Sequence, residues 1–315
     1  MILVGGEALV DLVPATQTGP GELGPLLPLP GGGPYNVAIT LGRLGAPVRF
    51  LSRLSTDGFG DALLRRLEMS NVDTSMVQRG PEPTTLAVAG IAPDGSARYS
   101  FHVDGTADRL VADPGPLPAE VTTLSLGTLS LLLEPGATTY ETLLRRHRGL
   151  TVLDPNIRPA MVSDPDAFRA RFASWLPDVS LLKLSVEDAA WLAGGAADAA
   201  DAADAAVAGW LRRGPAAAVV TRGADGITVV TADGATVAVP TAPASVVDTI
   251  GAGDTVHGAL LYWLWLAGIN STSGVAEIDE NGWRDALGFA ARAAAVTVSR
   301  AGAEPPHAAE LGLSS

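Results

Sequence analysis

Residues 246–260 read VVDTIGAGDTVHGAL. The β-branched pair Val246-Val247 predicts the end of a buried strand. A tight turn through Gly251 and Gly253 follows, and Asp254 opens an apolar run, TVHGALLYWLWLA, that reads as a helix. Strand, glycine turn and helix N-terminus together make an anion site. Glycines let successive N–H groups converge with no Cβ in the way, and the first N–H groups of a helix lack intrahelical partners and carry the positive end of the dipole. A carboxylate at such a mouth has two readings. Asp254 suits a base that meets a hydroxyl attacking phosphorus, which gives phosphoryl transfer to an alcohol. It equally suits an N-cap behind a glycine turn.

Around this stretch the chain alternates in the manner of an α/β protein. Ile2 to Val4 is a short strand ending at Gly5-Gly6, followed by GEALVDLVP with Glu7 and Asp11. Asp11 is placed either to bind hydroxyl groups or to face solvent from an edge strand. Residues 14–34 are too rich in Pro and Gly for helix. From Gly31-Gly32-Gly33-Pro34-Tyr35-Asn36 the chain enters a helix with Val37, Leu41 and Leu44 on one face and Asn36 in its first turn. A strand at 48–54 and a helix within 55–69 then set the βαβ rhythm of a parallel sheet covered by helices.

Residues 84–103 break that rhythm with two strands and a turn at Pro93-Asp94-Gly95. Together with the Pro/Gly-rich piece at 14–30 they predict a small sheet that serves as a lid over the carboxyl ends of the main strands, where ligands bind in such folds. Phe101 and His102 are candidates to face a ligand or simply to pack. The second half resumes alternation: a strand near 121–130, a helix over 141–149, and a buried strand ending in Asp154, Asn156 and Arg158. Arg158 suits charge on a phosphoryl group, or solvent after a Pro turn. A strand and helix follow at 181–194, with Lys183, Ser185, Glu187 and Asp188 at their junction. An Ala-rich solvated helix is expected over 196–210, a strand–turn–strand through Gly223 and Gly226, a further strand at 235–240, and a helix with a Gly/Pro tail over 283–306.

Composition narrows the function. The chain has 315 residues, 47% hydrophobic and 17% charged, enough for one large α/β unit. With no cysteine, thiolate metal sites, disulfides and cysteine nucleophiles are excluded, and a cytoplasmic location fits. A net charge of −13 argues against nucleic acid as a partner. The N-terminus lacks the pattern of a signal peptide, and the apolar run at 256–268 is shorter than the ~20 residues a membrane span needs. Neither a Walker A pattern nor H-E-x-x-H nor G-x-S-x-G occurs, and the four histidines are scattered.

DTIGAGDTVHGALL resembles the C-terminal signature of the ribokinase-like (PfkB) carbohydrate kinases. GEALVDLVP, PGGGPYNVAITLGRLG, a hairpin lid, LDPNIRP, KLSVEDAAWL, VVTRGADG and SRAGAEPP appear in that family's order along nearly the whole chain. GEALVDLVP, DPNIRP and SRAGAEPP look most like its fructokinase branch. The resemblance implies a single domain over 1–315, a three-layer α/β/α unit with a mostly parallel central sheet and a small β-sheet lid inserted from 11–31 and 83–109. It further implies ATP-dependent phosphorylation of the primary hydroxyl of a small sugar, with fructose to fructose 6-phosphate as the first choice. 2-Keto-3-deoxygluconate kinase, ribokinase, nucleoside kinase and a catalytically silent sugar- or nucleotide-binding regulator are the alternatives.

Roles follow by position from the same resemblance. Asp254 would be the base, the backbone of Gly251, Ala252 and Gly253 the anion hole, and Arg158 would sit beside the phosphoryl path. Asp11, Gly31, Gly32, Asn36 and Asn156 would hold the sugar, with Phe101 closing over it. Lys183, Ser185, Thr221, Gly223 and Gly226 would line the nucleotide site. Asp188 or Glu187 would organise Mg²⁺ through water, and Asp248, Ile250 and Gly302 would flank a monovalent cation, potassium in relatives. Relatives often dimerise through the lid. Three departures stand out: the family's N-x-x-E appears as Ser185-Val186-Glu187-Asp188, Val256 replaces an aromatic, and Val103 stands where many relatives carry Arg. Loss of that cation favours a neutral sugar.

Overall fold

The computed structural model describes residues 1–15, 24–91, 97–195 and 200–313. From the N-terminus, β1 (Ile2–Gly5) leads to β2 (Leu9–Pro14) and β3 (Leu26–Gly31), then α1 (Gly33–Leu44), β4 (Val48–Ser55), α2 (Gly58–Met69) and β5 (Val77–Gly80). β6 (Leu86–Ile91) and β7 (Ala97–His102) precede β8 (Thr123–Gly127), α3 (Gly136–Arg146), β9 (Leu150–Asp154), α4 (Pro165–Trp175), β10 (Leu181–Ser185), α5 (Val186–Leu192) and α6 (Ala200–Leu211). The order ends with β11 (Ala217–Thr221), β12 (Ile227–Thr231), β13 (Thr236–Val239), α7 (Ala252–Leu266), α8 (Thr272–Ala276) and α9 (Glu280–Val298).

These strands make a nine-stranded sheet in the order β13-β12-β11-β10-β9-β8-β1-β4-β5 and a four-stranded sheet in the order β3-β2-β6-β7. In the large sheet only β12 and β13 run antiparallel to their neighbours. Successive side chains of β1 show how both faces are covered. Ile2 and Val4 pack with α1, α7 and α9, whereas Leu3 packs with α3, α4, α5 and α6. This is the period of two that a strand buried on both sides requires. Helix α7 is apolar almost all round because it lies between α1 and α9, and ten of its residues are buried. Helix α7 is therefore held between α1 and α9.

Several sequence expectations need correction. Val246 and Val247 form no strand; they are 65% and 64% exposed, and Val247 N–H donates to the carbonyl of Val298 at the end of α9. β-Branched residues favour a strand only where a pleated partner is available, and no described strand pairs with them. Helix α3 begins at Gly136 rather than at 141. The Ala-rich helix α6 is not wholly solvated, for Ala203, Val207 and Leu211 form a buried i, i+4, i+8 stripe. β5, α4 and α8 were not anticipated. The turn expected at residues 93–95 lies outside the described residues, as do 196–199 at the start of the Ala-rich run.

Candidate active site

The carboxyl ends of β1, β9, β10 and β11 open on one side of the large sheet, beneath the four-stranded sheet. A cleft of about 490 Å³ lies between them. Asp11 from β2 and Tyr99 and Phe101 from β7 line it above; Asn156, Arg158, Lys183 and Asp188 line its sides; Gly251, Gly253 and Asp254 line its floor. A second cleft of about 670 Å³ adjoins it at Thr221, Thr249 and Gly253 and is bordered by Glu187, Gly223, Gly226 and the small side chains Ala291, Ala294 and Ala295 of α9. The two clefts meet at the glycine turn.

The two readings of Asp254 can now be separated. Asp57, Asp164 and Asp279 each accept a backbone N–H as N-caps of α2, α4 and α9. Asp254 does not, because the N-cap of α7 is Gly251 and makes no side-chain bond. Instead Asp254 sits inside the first turn and its Oδ2 accepts a 2.8 Å hydrogen bond from Asn36 Nδ2 on α1. The side chain is buried, and burial pushes its carboxyl up to about 6 against the opposing pull of Asn36 and Lys183. A carboxyl so tuned is charged near neutrality yet takes a proton readily.

Glycine is required around it. Gly251 has φ 75°, and a Cβ there would stand 2.6 Å from Ala303 Cβ. A Cβ on Gly33 would stand 2.6 Å from Thr128 Cγ2 and 3.3 Å from both Asp254 Oδ1 and Asn156 Nδ2. Thr128 and Asn156 hold positive φ angles of 59° and 37°, a strained state for residues with a Cβ and one that clusters at functional sites. The buried Glu7 carboxylate holds this turn by accepting from Thr128 Oγ1 and Ser130 N–H.

Asp11 reaches the cleft from β2. Burial pushes its carboxyl up to about 6, Arg158 pulls it down and Asp254 adds to the rise. A Cβ on Gly31 would overlap Asp11 Oδ2, which fixes Gly31 beside it. Phe101 faces the cleft and stacks on Tyr99 at 6.2 Å between ring centroids; His102, one residue on, does not line it. Tyr99 was missed, although period two from Phe101 points to it. Arg158 donates to the Asn156 side chain at 2.7 Å. Lys183 and Ser185, expected on the nucleotide wall, border the first cleft, while Thr221 borders both and Gly223 and Gly226 the second.

Two sites were expected to serve metal ions. Asp188 accepts from Ser185 N–H and Oγ in a capping box and from Ile157 N–H at 2.7 Å. A carboxylate has about four lone-pair positions, so these three donors leave room for a water. Glu187 is exposed and faces the second cleft. Among the described residues no three His, Cys, Asp or Glu side chains converge as a metal cage. The residues fit a hydrated Mg²⁺ carried on phosphates rather than one enclosed by protein. Asp248 accepts from Ile250 N–H at 3.0 Å and Gly302 N–H at 2.8 Å. It thereby ties the loop before α7 to the loop after α9.

Similarity to known proteins bears on this site. The family model described as pfkB family carbohydrate kinase matches residues 1–309. A fructokinase of Rhizobium leguminosarum bv. trifolii is 39% identical over 289 residues, which is 90% of this chain and 86% of that protein. The crystal structure of a fructokinase with bound ATP from Xylella fastidiosa superposes with a TM-score of 0.87 at 27% identity, over 98% of this chain and 96% of that one. A Vibrio cholerae fructokinase double mutant in its fructose-, ADP- and potassium-bound form has a TM-score of 0.79 at 25% identity, over 98% and 94% of the two chains. Among the described residues no helix is long and apolar enough to cross a membrane.

Proposed function

The chain belongs to the pfkB family of carbohydrate kinases, and we propose that within it the protein transfers the γ-phosphoryl group of ATP to the primary hydroxyl of a neutral sugar, fructose first. Asp254 carries this reading. Its carboxylate lies at a helix N-terminus, takes no part in capping, and lines a cleft roofed by aromatic side chains beside Gly253, where a second cleft large enough for a nucleotide adjoins.

In the proposed reaction the sugar lies in the first cleft, with Asp11 and Asn36 on its hydroxyl groups, Phe101 and Tyr99 over its ring, and Gly31 and Gly32 allowing close approach. The nucleotide lies along Thr221, Gly223 and Gly226. N–H groups of Gly251 and Gly253 face the group in transit, whereas the Ala252 N–H donates to the Thr249 carbonyl at 3.2 Å; Arg158 approaches the group from the side, and Asp254 accepts the hydroxyl proton. Phosphoryl transfer has a loose transition state, so positioning and charge outweigh base strength. Mg²⁺ on the nucleotide would offset phosphate charge, with Asp188 holding its water and Glu187 the alternative. Potassium at Asp248, Ile250 and Gly302 would brace the anion hole. Support for a neutral sugar comes from the first cleft, where Glu7, Asp11, Asp188 and Asp254 outnumber Arg158 and Lys183 and the position after His102 is the uncharged, buried Val103.

The test is ADP release with Mg-ATP and potassium over fructose, ribose, 2-keto-3-deoxygluconate, adenosine and no acceptor, with Asp254→Asn beside wild type. Fructose turnover that collapses in the variant supports substrate and base together. Turnover on another acceptor moves the substrate, and nucleotide binding without any turnover favours a silent binder. Pairing of two lids is also proposed, since Leu26 and Leu27 on the edge strand β3 are 43% and 51% exposed. Light scattering that shows only monomer would refute it.

A further inference from the structure

Behind the glycine turn lies a chain of buried polar groups to which the transfer scheme assigns no joint role. Lys183 Nζ donates to Asp154 Oδ2 at 2.8 Å. The same oxygen lies 3.4 Å from His257 Nδ1, and His257 Nε2 lies 3.1 Å from Ser125 Oγ. A neutral imidazole satisfies both contacts when Nδ1–H donates to the carboxylate and Nε2 accepts from the serine hydroxyl. Lys183, Asp154, His257 and Ser125 are each at most 3% exposed.

Stability is a poor reason for this arrangement, because replacing a buried ion pair with apolar groups is often neutral or stabilising. Position is a better one. Lys183 borders the first cleft together with Asp254, and a Cβ on Gly253 would stand 3.2 Å from its Nζ. The ammonium therefore lies against the backbone of the expected anion hole. Among the described residues its one hydrogen bond goes to Asp154, which leaves two of its three N–H donors for another acceptor. Burial works against its charge, but Asp154 more than offsets this and holds the ammonium above the usual lysine range.

We propose that Lys183 is a catalytic cation that contacts the phosphoryl group in transit at the Gly251–Gly253 turn, and that Asp154 and His257 are positioning residues that aim it. The inference rests on the kinase reading above. In the transfer, the bond from phosphorus to the ADP oxygen breaks and a bond to the sugar oxygen forms. The hydroxyl proton goes to Asp254, and Lys183 stays protonated throughout. Lys183 thus acts at the phosphoryl group and not at the base of the nucleotide. A Cβ on Gly253 would press on the ammonium at 3.2 Å and displace it from this position.

The experiment compares binding of Mg-ADP alone with Mg-ADP plus aluminium fluoride and fructose, a mimic of the group in transit, while wild-type sugar turnover is followed in parallel. In Lys183→Met the tightening that aluminium fluoride brings should fall by about ten-fold or more, with Mg-ADP alone changed less than about two-fold. His257→Leu should lose part of the tightening, and His257→Asn, whose amide nitrogen replaces Nδ1, should restore it. This pair decides the matter if Lys183→Met does not fold. Unchanged tightening in Lys183→Met and His257→Leu, or an equal loss for Mg-ADP alone, overturns the inference while wild-type turnover leaves the kinase reading standing. Neither turnover nor tightening in the wild type overturns both.

Discussion

Replacing Asn36 by leucine, close to it in shape but without a donor, isolates one term in the environment of the base. The amide donates to Asp254 Oδ2 at 2.8 Å, and this bond opposes the burial that pushes the carboxyl up to about 6. A hydrogen bond to a charged group contributes about 1.5–3 kcal/mol, equivalent to a pKa change of about one to two. With the donor gone, the Asp254 pKa should rise to roughly 7–8. At pH 7 the ionised fraction should fall from about nine-tenths to between about one-half and one-tenth. The assay is the pH dependence of kcat/KM for the sugar in coupled ADP release. Its acid limb reports the free enzyme's base and should move to higher pH by the same amount. Loss of a sugar contact at Asn36 would lower the whole profile without moving the limb, so the two effects separate. A limb that stays in place or moves to lower pH would refute the assignment of the base or of its anchor.

Three further outcomes are expected. Asp254→Asn should stabilise the fold at pH 7.5. The native pKa of about 6 exceeds the ordinary 3.8, so the charged form costs about 3 kcal/mol when folded; that cost disappears as pH falls through 6 toward 4, and with it the variant's advantage in thermal melts. Gly251→Ala, forced to keep φ 75° with its Cβ 2.6 Å from Ala303 Cβ, should lose about 10²–10³ in kcat while far-UV circular dichroism stays native. Tyr99→Ala and Phe101→Ala should each raise the sugar KM several-fold with kcat little changed, and a fall in kcat alone would place the stacked pair away from the sugar.

Much of this architecture is legible in the sequence because the strands are short apolar runs between glycine turns, and period two or 3.6 separates them from the helices. The errors have local causes. Val246-Val247 looks like a strand by propensity, but a strand also needs a partner, which no local sequence names. Ala203, Val207 and Leu211 sit in a low-complexity run whose buried stripe is masked by alanines on every face. At the site, Asp254 and Asn36 were found because each sits beside a glycine turn, and Asp11 because it is a carboxylate in the apolar stretch that follows the first strand. That Asp254 is no cap, and that Asn36 holds it across 218 positions of sequence, depends on how α1 and α7 cross. His257 and Ser125 were passed over as functional groups for the same reason, and Asp154 was noted only as a polar residue at a strand end. Each is an ordinary polar residue at the end or middle of an apolar element, and only the stacking of β8, β9 and β10 beneath α7 brings them together.

The upper sheet is attached to the base of the molecule with almost no slack. β1 ends at Gly5 and β2 begins at Leu9; β3 ends at Gly31 and α1 begins at Gly33. Asn36, in the first turn of that helix, donates directly to Asp254. The short Gly31–Gly33 tether thus joins the sheet that carries Asp11 and Phe101 to the helix turn whose Asn36 orients Asp254.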